Sequence, residues 1–74
     1  MTKKVFLTFP QKLIKEPILY DLVKRFSVKT NIRGASVTDV IALVALQIEG
    51  KAADIEAAIG HLESLGVQVE RLAD

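Results

Sequence analysis

The stretch that most restricts the fold is Ile41 to Glu49, IALVALQIE. Ala42, Val44, Leu46 and Ile48 fall on one phase of a period-two pattern, and Ile41, Leu43 and Ala45 on the other. Apolar residues on both phases, closed by Gly50, read as a strand held inside a sheet. The apolar run from Val40 to Leu46 is far short of the about twenty residues a membrane-crossing helix needs. Such a strand needs partners beside it, and the flanking patterns supply them.

Lys4 to Phe9 alternates Val5, Leu7 and Phe9 against Phe6 and Thr8, which predicts a first strand ended by Pro10. Pro10 to Glu16 reads as a loop. Pro17 suits the first turn of a helix, where its missing N–H costs nothing. Ile18, Leu19, Leu22, Val23 and Phe26 then form one helical stripe, ending near Ser27. Val28 to Thr38 predicts a second strand, with Val28, Thr30 and Ile32 toward the core. Gly34 interrupts it, and the apolar phase resumes at Ala35 and Val37, so a bulge is expected there. Thr38-Asp39 supplies the turn into the third strand. Ala52 to Leu65 is a second helix whose stripe is Ile55, Ala58, Ile59, Leu62 and Leu65. Its start lacks a capping side chain, while Asp54 complements the dipole and Gly66 suits the left-handed position after its end. Gly66 to Glu70 gives a short fourth strand that Leu72 extends.

The order β-α-β-β-α-β with right-handed crossovers closes into a four-stranded antiparallel sheet, order 4-1-3-2, with both helices on one face. The expected class is α+β, ferredoxin-like, in a single domain over residues 1–74. The other face is left open and carries Phe6, Thr8, Asn31, Arg33, Leu43 and Ala45. Phe6, Leu43 and Ala45 make that face too apolar for idle surface. The second strand lies at an edge, with backbone groups that invite another chain. Phe6, Thr8, Arg33, Leu43 and Ala45 are therefore the expected interface, and a homo-oligomer is the expected partner.

Composition removes much chemistry. Seventy-four residues without cysteine allow no disulfide, thiolate metal site or iron–sulfur cluster. Half the chain is hydrophobic, which argues against disorder. Residues 1–33 carry eight basic and two acidic residues, and residues 34–74 two basic and seven acidic. A basic half suits nucleic acid or a membrane surface. A dipolar surface whose halves neutralise each other in the fold is the plainer reading. The N-terminus has no apolar stretch or cleavage site of a secretory signal, so a cytoplasmic protein without membrane insertion is expected.

The one histidine, His61, sits off the second helix's apolar stripe and reads as a solvated position. No second histidine or cysteine completes a metal site. No converging carboxylates, no base beside Ser27, Ser36 or Ser64 and no glycine-rich phosphate loop can be found. RNA-recognition domains of this fold stack bases on first- and third-strand aromatics; here Phe6 has no third-strand counterpart, and no nucleic acid is expected. The first loop lacks the cysteine pair of metallochaperones and the arginine of acylphosphatases. Neither enzyme activity, metal nor cofactor is expected.

Around Asn31-Ile32-Arg33-Gly34-Ala35 the chain resembles the NIL domain. Phe9 closing the first strand, Asn31-Ile32 with Ala35, Leu46-x-Ile48-x-Gly50, Ala57-Ala58-Ile59 and Gly66-Val67-Gln68-Val69-Glu70 follow that family's order. Arg33 stands where the signature has leucine, and Asp39-Val40 where transporter versions have a glycine and an aromatic. The resemblance implies a regulatory module of methionine-importing ABC transporter ATPases, found also on ferredoxin-type domains and alone. It implies modules that pair and bind methionine at their interface, with Asn31, Ile32 and Ala35 as the ligand-binding candidates. With Ile32 toward the core, Asn31 points to the open face, where its amide both donates and accepts. A module that docks on a ferredoxin or a transporter ATPase without small ligand is the alternative, and an ACT-like amino-acid sensor a third.

Overall fold

The computed structural model describes residues 1–72; the last two residues of the expected 1–74 unit lie outside the described residues. Strand β1 (Thr2–Pro10) leads through a 3₁₀ turn (Gln11–Leu13) to helix α1 (Ile18–Phe26). Strands β2 (Lys29–Val37) and β3 (Ile41–Glu49), helix α2 (Ala52–Leu65) and strand β4 (Gln68–Arg71) follow. The sheet order is β2-β3-β1-β4, each neighbouring pair antiparallel. This is the ferredoxin-like α+β fold.

The core lies between helices and sheet. Val5, Leu7 and Phe9 of β1 and Ala42, Val44, Leu46 and Ile48 of β3 are buried, each alternating with a half-buried or exposed residue. Ile18 and Leu22 of α1 and Ile55, Ala58, Ile59 and Leu62 of α2 cover them. No polar side chain is buried among the described residues, so the core rests on apolar burial alone. No helix among them is long and apolar enough to cross a membrane.

Three expected core positions differ. Val23 is exposed: Ile18 and Leu22, one turn apart, take the buried line, and Val23 lies about 100° round from Leu22. Leu65 sits in the last turn of α2 and is also exposed. Ile32 stands opposite buried Leu46, on the helix side of the sheet as expected, yet it is 55% exposed because β2 is the edge strand and no helix covers it.

The connections match their local chemistry. Thr38 Oγ1 accepts from the N–H of Ile41 at 3.2 Å and donates to its carbonyl at 3.1 Å, closing the β2–β3 turn. Lys51 caps α2 without a side-chain bond. Gly66, at φ 102°, ends α2 with the paired bonds Gly66 N–H to Glu63 C=O and Val67 N–H to Leu62 C=O. Val67, expected in the last strand, is spent on this stop, so β4 begins at Gln68. Leu72 does continue the pairing, through its N–H to the Lys4 carbonyl at 2.9 Å.

Candidate functional site

The β2–β3 register decides what stands together on the open face. Lys29 faces Glu49, Thr30 faces Ile48, Asn31 faces Gln47 and Ile32 faces Leu46. Ile48 and Leu46 belong to the core, so Thr30 and Ile32 take the helix side, while Asn31, Gln47, Lys29 and Glu49 share the open face. The ladder then slips: Gly34 faces Ala45, and Arg33 has no partner. The expected bulge is therefore present, with Arg33 as its extra residue. Glycine, not Arg33, occupies the place next to Ala45. A Cβ added at Gly34 would meet nothing within 4 Å, so the surface above it is open.

Beyond the bulge, Ala35 faces Val44 and returns to the helix side, while Ser36 faces Leu43 on the open side. Two rows cross the open face here: Gly34, Ala45, Phe6 and Glu70, then Ser36, Leu43, Thr8 and Gln68. Four of the five interface candidates, Phe6, Thr8, Leu43 and Ala45, thus form one half-buried block of two facing pairs. Arg33, the fifth, stands apart in the bulge. The three ligand candidates divide between faces: Asn31 on the open face, Ile32 and Ala35 on the helix side of the same edge strand.

Two shallow concavities follow from this layout. One, of about 230 Å³, is lined by Lys29, Thr30, Asn31, Gln47 and Glu49. The other, of about 290 Å³, lies among Phe6, Gly34, Ala35, Ser36, Leu43 and Ala45. Gln47 and Glu49 were absent from the residues expected in the site, although they continue the open phase of Leu43 and Ala45. Their place beside Asn31 depends on register, which period two does not specify. A third cleft, of about 320 Å³, lies on the helix side between α1 and the end of β2, with Pro17, Leu19, Tyr20 and Val37 at its wall.

Electrostatically the two sheet edges differ. At the β4 edge, Arg71 donates to both carboxylate oxygens of Glu56, at 2.6 and 2.8 Å. That hydrogen bonding holds the Glu56 carboxyl below its ordinary range and raises Arg71. It is the one ion pair among the described residues. Lys29 and Glu49, though directly opposed, are not joined. His61 is not the solvated position expected: it is half-buried, its ring 5.3 Å from that of Phe26. No group of three or more His, Cys, Asp or Glu among the described residues is placed to hold a metal.

A ferredoxin-like sheet with one bare face hosts many unrelated functions and does not by itself fix one. The NIL domain model matches residues 3–71, and the chain belongs to that family. Two Helicobacter pylori proteins (strains J99 and 26695), each a methionine import ATP-binding protein MetN, are 29% identical over 72 residues, covering 92% of this chain. The chain spans 22% of their length. The solved C-terminal domain of an ABC transporter ATP-binding protein from Enterococcus faecalis superposes with a TM-score of 0.87 at 26% identity, covering 97% of this chain and 84% of that one. The C-terminal domain of MgtC from Mycobacterium tuberculosis shares the fold, with a TM-score of 0.54 at 13% identity over 96% of this chain and 86% of that one.

Proposed function

We propose that this chain is a non-catalytic regulatory module that pairs with a second copy of itself and binds a small ligand, an amino acid such as methionine, at the β2 edge. Residues 1–74 act as one unit in this reading, in the cytoplasm. The observation that carries it is Asn31: an amide within the Asn31-Ile32 motif through which the chain resembles the family, presented on an exposed edge strand directly opposite a second amide, Gln47. The relatives' role in methionine import makes methionine the first ligand to try. In this reading its effect is exerted through others. Titration calorimetry with the twenty amino acids tests the reading. A binding isotherm with methionine or a close analogue is expected; silence from all twenty at millimolar ligand removes it.

A second reading has its own support. Phe6, Thr8, Leu43 and Ala45 form a contiguous half-buried patch beside an unpaired edge, the kind of surface that docks on protein. In that reading the partner is a transporter ATPase or a ferredoxin-type iron–sulfur protein, and no small ligand is needed. Calorimetric silence together with loss of assembly in Phe6→Asp would favour it.

A further inference from the structure

We infer that the groove between helix α1 and the outer edge of strand β2 takes an extended segment of a partner protein in which apolar and acidic side chains alternate, added to the sheet as a fifth strand. The groove lies on the helix side of the sheet, away from the open face that carries Asn31 and Phe6. It is therefore a different surface from those on which the proposed function rests.

The core is sealed everywhere but here. Phe9, Ile18, Ala42 and Val44 keep 6 to 8% exposure, while every other core residue keeps 3% or less. All four line the same cleft of about 320 Å³. Its walls are Leu19 and Tyr20 of α1 and Val37 of β2. Val37 stands opposite buried Ala42, on the helix side, and is 64% exposed. Ile32 on β2 and Val23, one turn on from Leu19, extend the exposed apolar strip along both walls. β2 ends the sheet, so its outer backbone groups have no strand beside them. A groove between an edge strand and a helix receives an added strand well: the main chain pairs with the edge, and alternate side chains enter the groove.

Charge selects the occupant. β2 carries Lys29 and Arg33 and no acid. Lys29 forms no ion pair with Glu49 opposite it. Lys24 stands on the α1 wall, its Nζ 5.0 Å from the centre of the Tyr20 ring. Among the described residues, Glu16 is the one acid lining the cleft, at the Val37 end. Basic side chains and a bulge are means by which an edge strand turns away neutral strands. They also turn away β2 of a second copy, because two strands with the same cations would lie side by side. A strand with acidic side chains is admitted. Its apolar residues enter the groove, and the alternate ones lie on the open side, where Lys29 and the bulged Arg33 meet carboxylates.

Fluorescence anisotropy on the whole chain tests this with two labelled eight-residue peptides, one alternating leucine with glutamate, the other leucine with lysine. The glutamate peptide is expected to bind at least tenfold more tightly than the lysine peptide, and to lose affinity as salt rises. The double variant Lys29→Glu, Arg33→Glu should reverse that preference. Val37→Asp should weaken the glutamate peptide at least tenfold. All three positions are exposed, so the variants should keep the wild-type circular dichroism. Amide NMR shifts on binding should fall on β2 and α1. Equal binding of the two peptides, binding of neither, or shifts confined to the face around Phe6 and Leu43 would overturn the proposal. So would a groove already covered by a second copy, seen as a fall in mass by light scattering when Val37→Asp replaces wild type.

Discussion

Arg71 grips Glu56 through two hydrogen bonds, of 2.6 and 2.8 Å, and so ties β4 to the N-terminal half of α2. Both side chains are 51% exposed, so the tie is screened by water and salt. Its sign with pH is fixed by the shift. The folded Glu56 carboxyl lies below its unfolded value, so the contribution is present above the ordinary carboxylate range and is lost as pH falls through the folded value. Arg71 is shifted up and keeps its charge throughout that window. Glu56→Gln should therefore lower the melting temperature slightly at neutral pH in low salt. The difference from wild type should shrink in high salt and vanish in acid. A difference that persists unchanged in acid would mean the pair is not its source.

Leu46 and Ile32 face each other across the β2–β3 ladder, yet they differ in worth. Leu46 is 1% exposed and Ile32 55%. Leu46→Ala should cost about 2–5 kcal/mol, the transfer term plus the cavity left behind. Ile32→Ala should stay within about 0.5 kcal/mol. Urea denaturation of the two variants measures both. An Ile32→Ala cost approaching that of Leu46→Ala would mean that something covers the edge in solution, such as a second copy of the chain.

These residues also mark where sequence reading succeeds and where it stops. Alternation in β1 and β3 placed Val5, Leu7, Phe9, Ala42, Val44, Leu46 and Ile48 inside, because a side-chain period of two is a local property of the chain. The same logic gave Ile32 its side of the sheet but not its exposure, which depends on where the helices stop. Gly34 flagged the bulge. It did not show that Arg33 would be the residue left without a partner, or that Gln47 and Glu49 would stand beside Asn31 and Lys29. Those are cross-strand facts, fixed by register over the whole ladder. Asn31, Ile32 and Ala35 sit close in sequence and divide between two faces for the same reason.

Both helices end on a left-handed residue, with different side chains. Gly66 has φ 102° and Ser27 φ 53°. Gly66→Ala should destabilise by about 1–2 kcal/mol, because a Cβ is disfavoured in that conformation. At Ser27 the cost is already present in the wild type. Ser27→Gly should relieve about 1–2 kcal/mol of it and return about 0.4–1 kcal/mol through the freer unfolded chain, for a net gain of about 0.5 kcal/mol. Thermal melts of the two variants should thus move in opposite directions. A destabilised Ser27→Gly would show that the serine side chain contributes something its backbone angle hides.

Phe6 decides whether the open face is an interface. It is half-buried within its own chain, flanked by Ala45 and Glu70, with Thr8 and Leu43 in the next row. Covering such a block with a second copy removes apolar surface from water. An aspartate at its centre would instead be desolvated without a partner. Phe6→Asp should therefore weaken self-association at least tenfold, about 1.4 kcal/mol. Phe6→Leu, which keeps the apolar bulk, should retain most of it. Light scattering across a concentration series reads both. A wild type that keeps the mass of one chain at every concentration would leave this face to the docking partner of the second reading, and homodimer regulation would have to be abandoned.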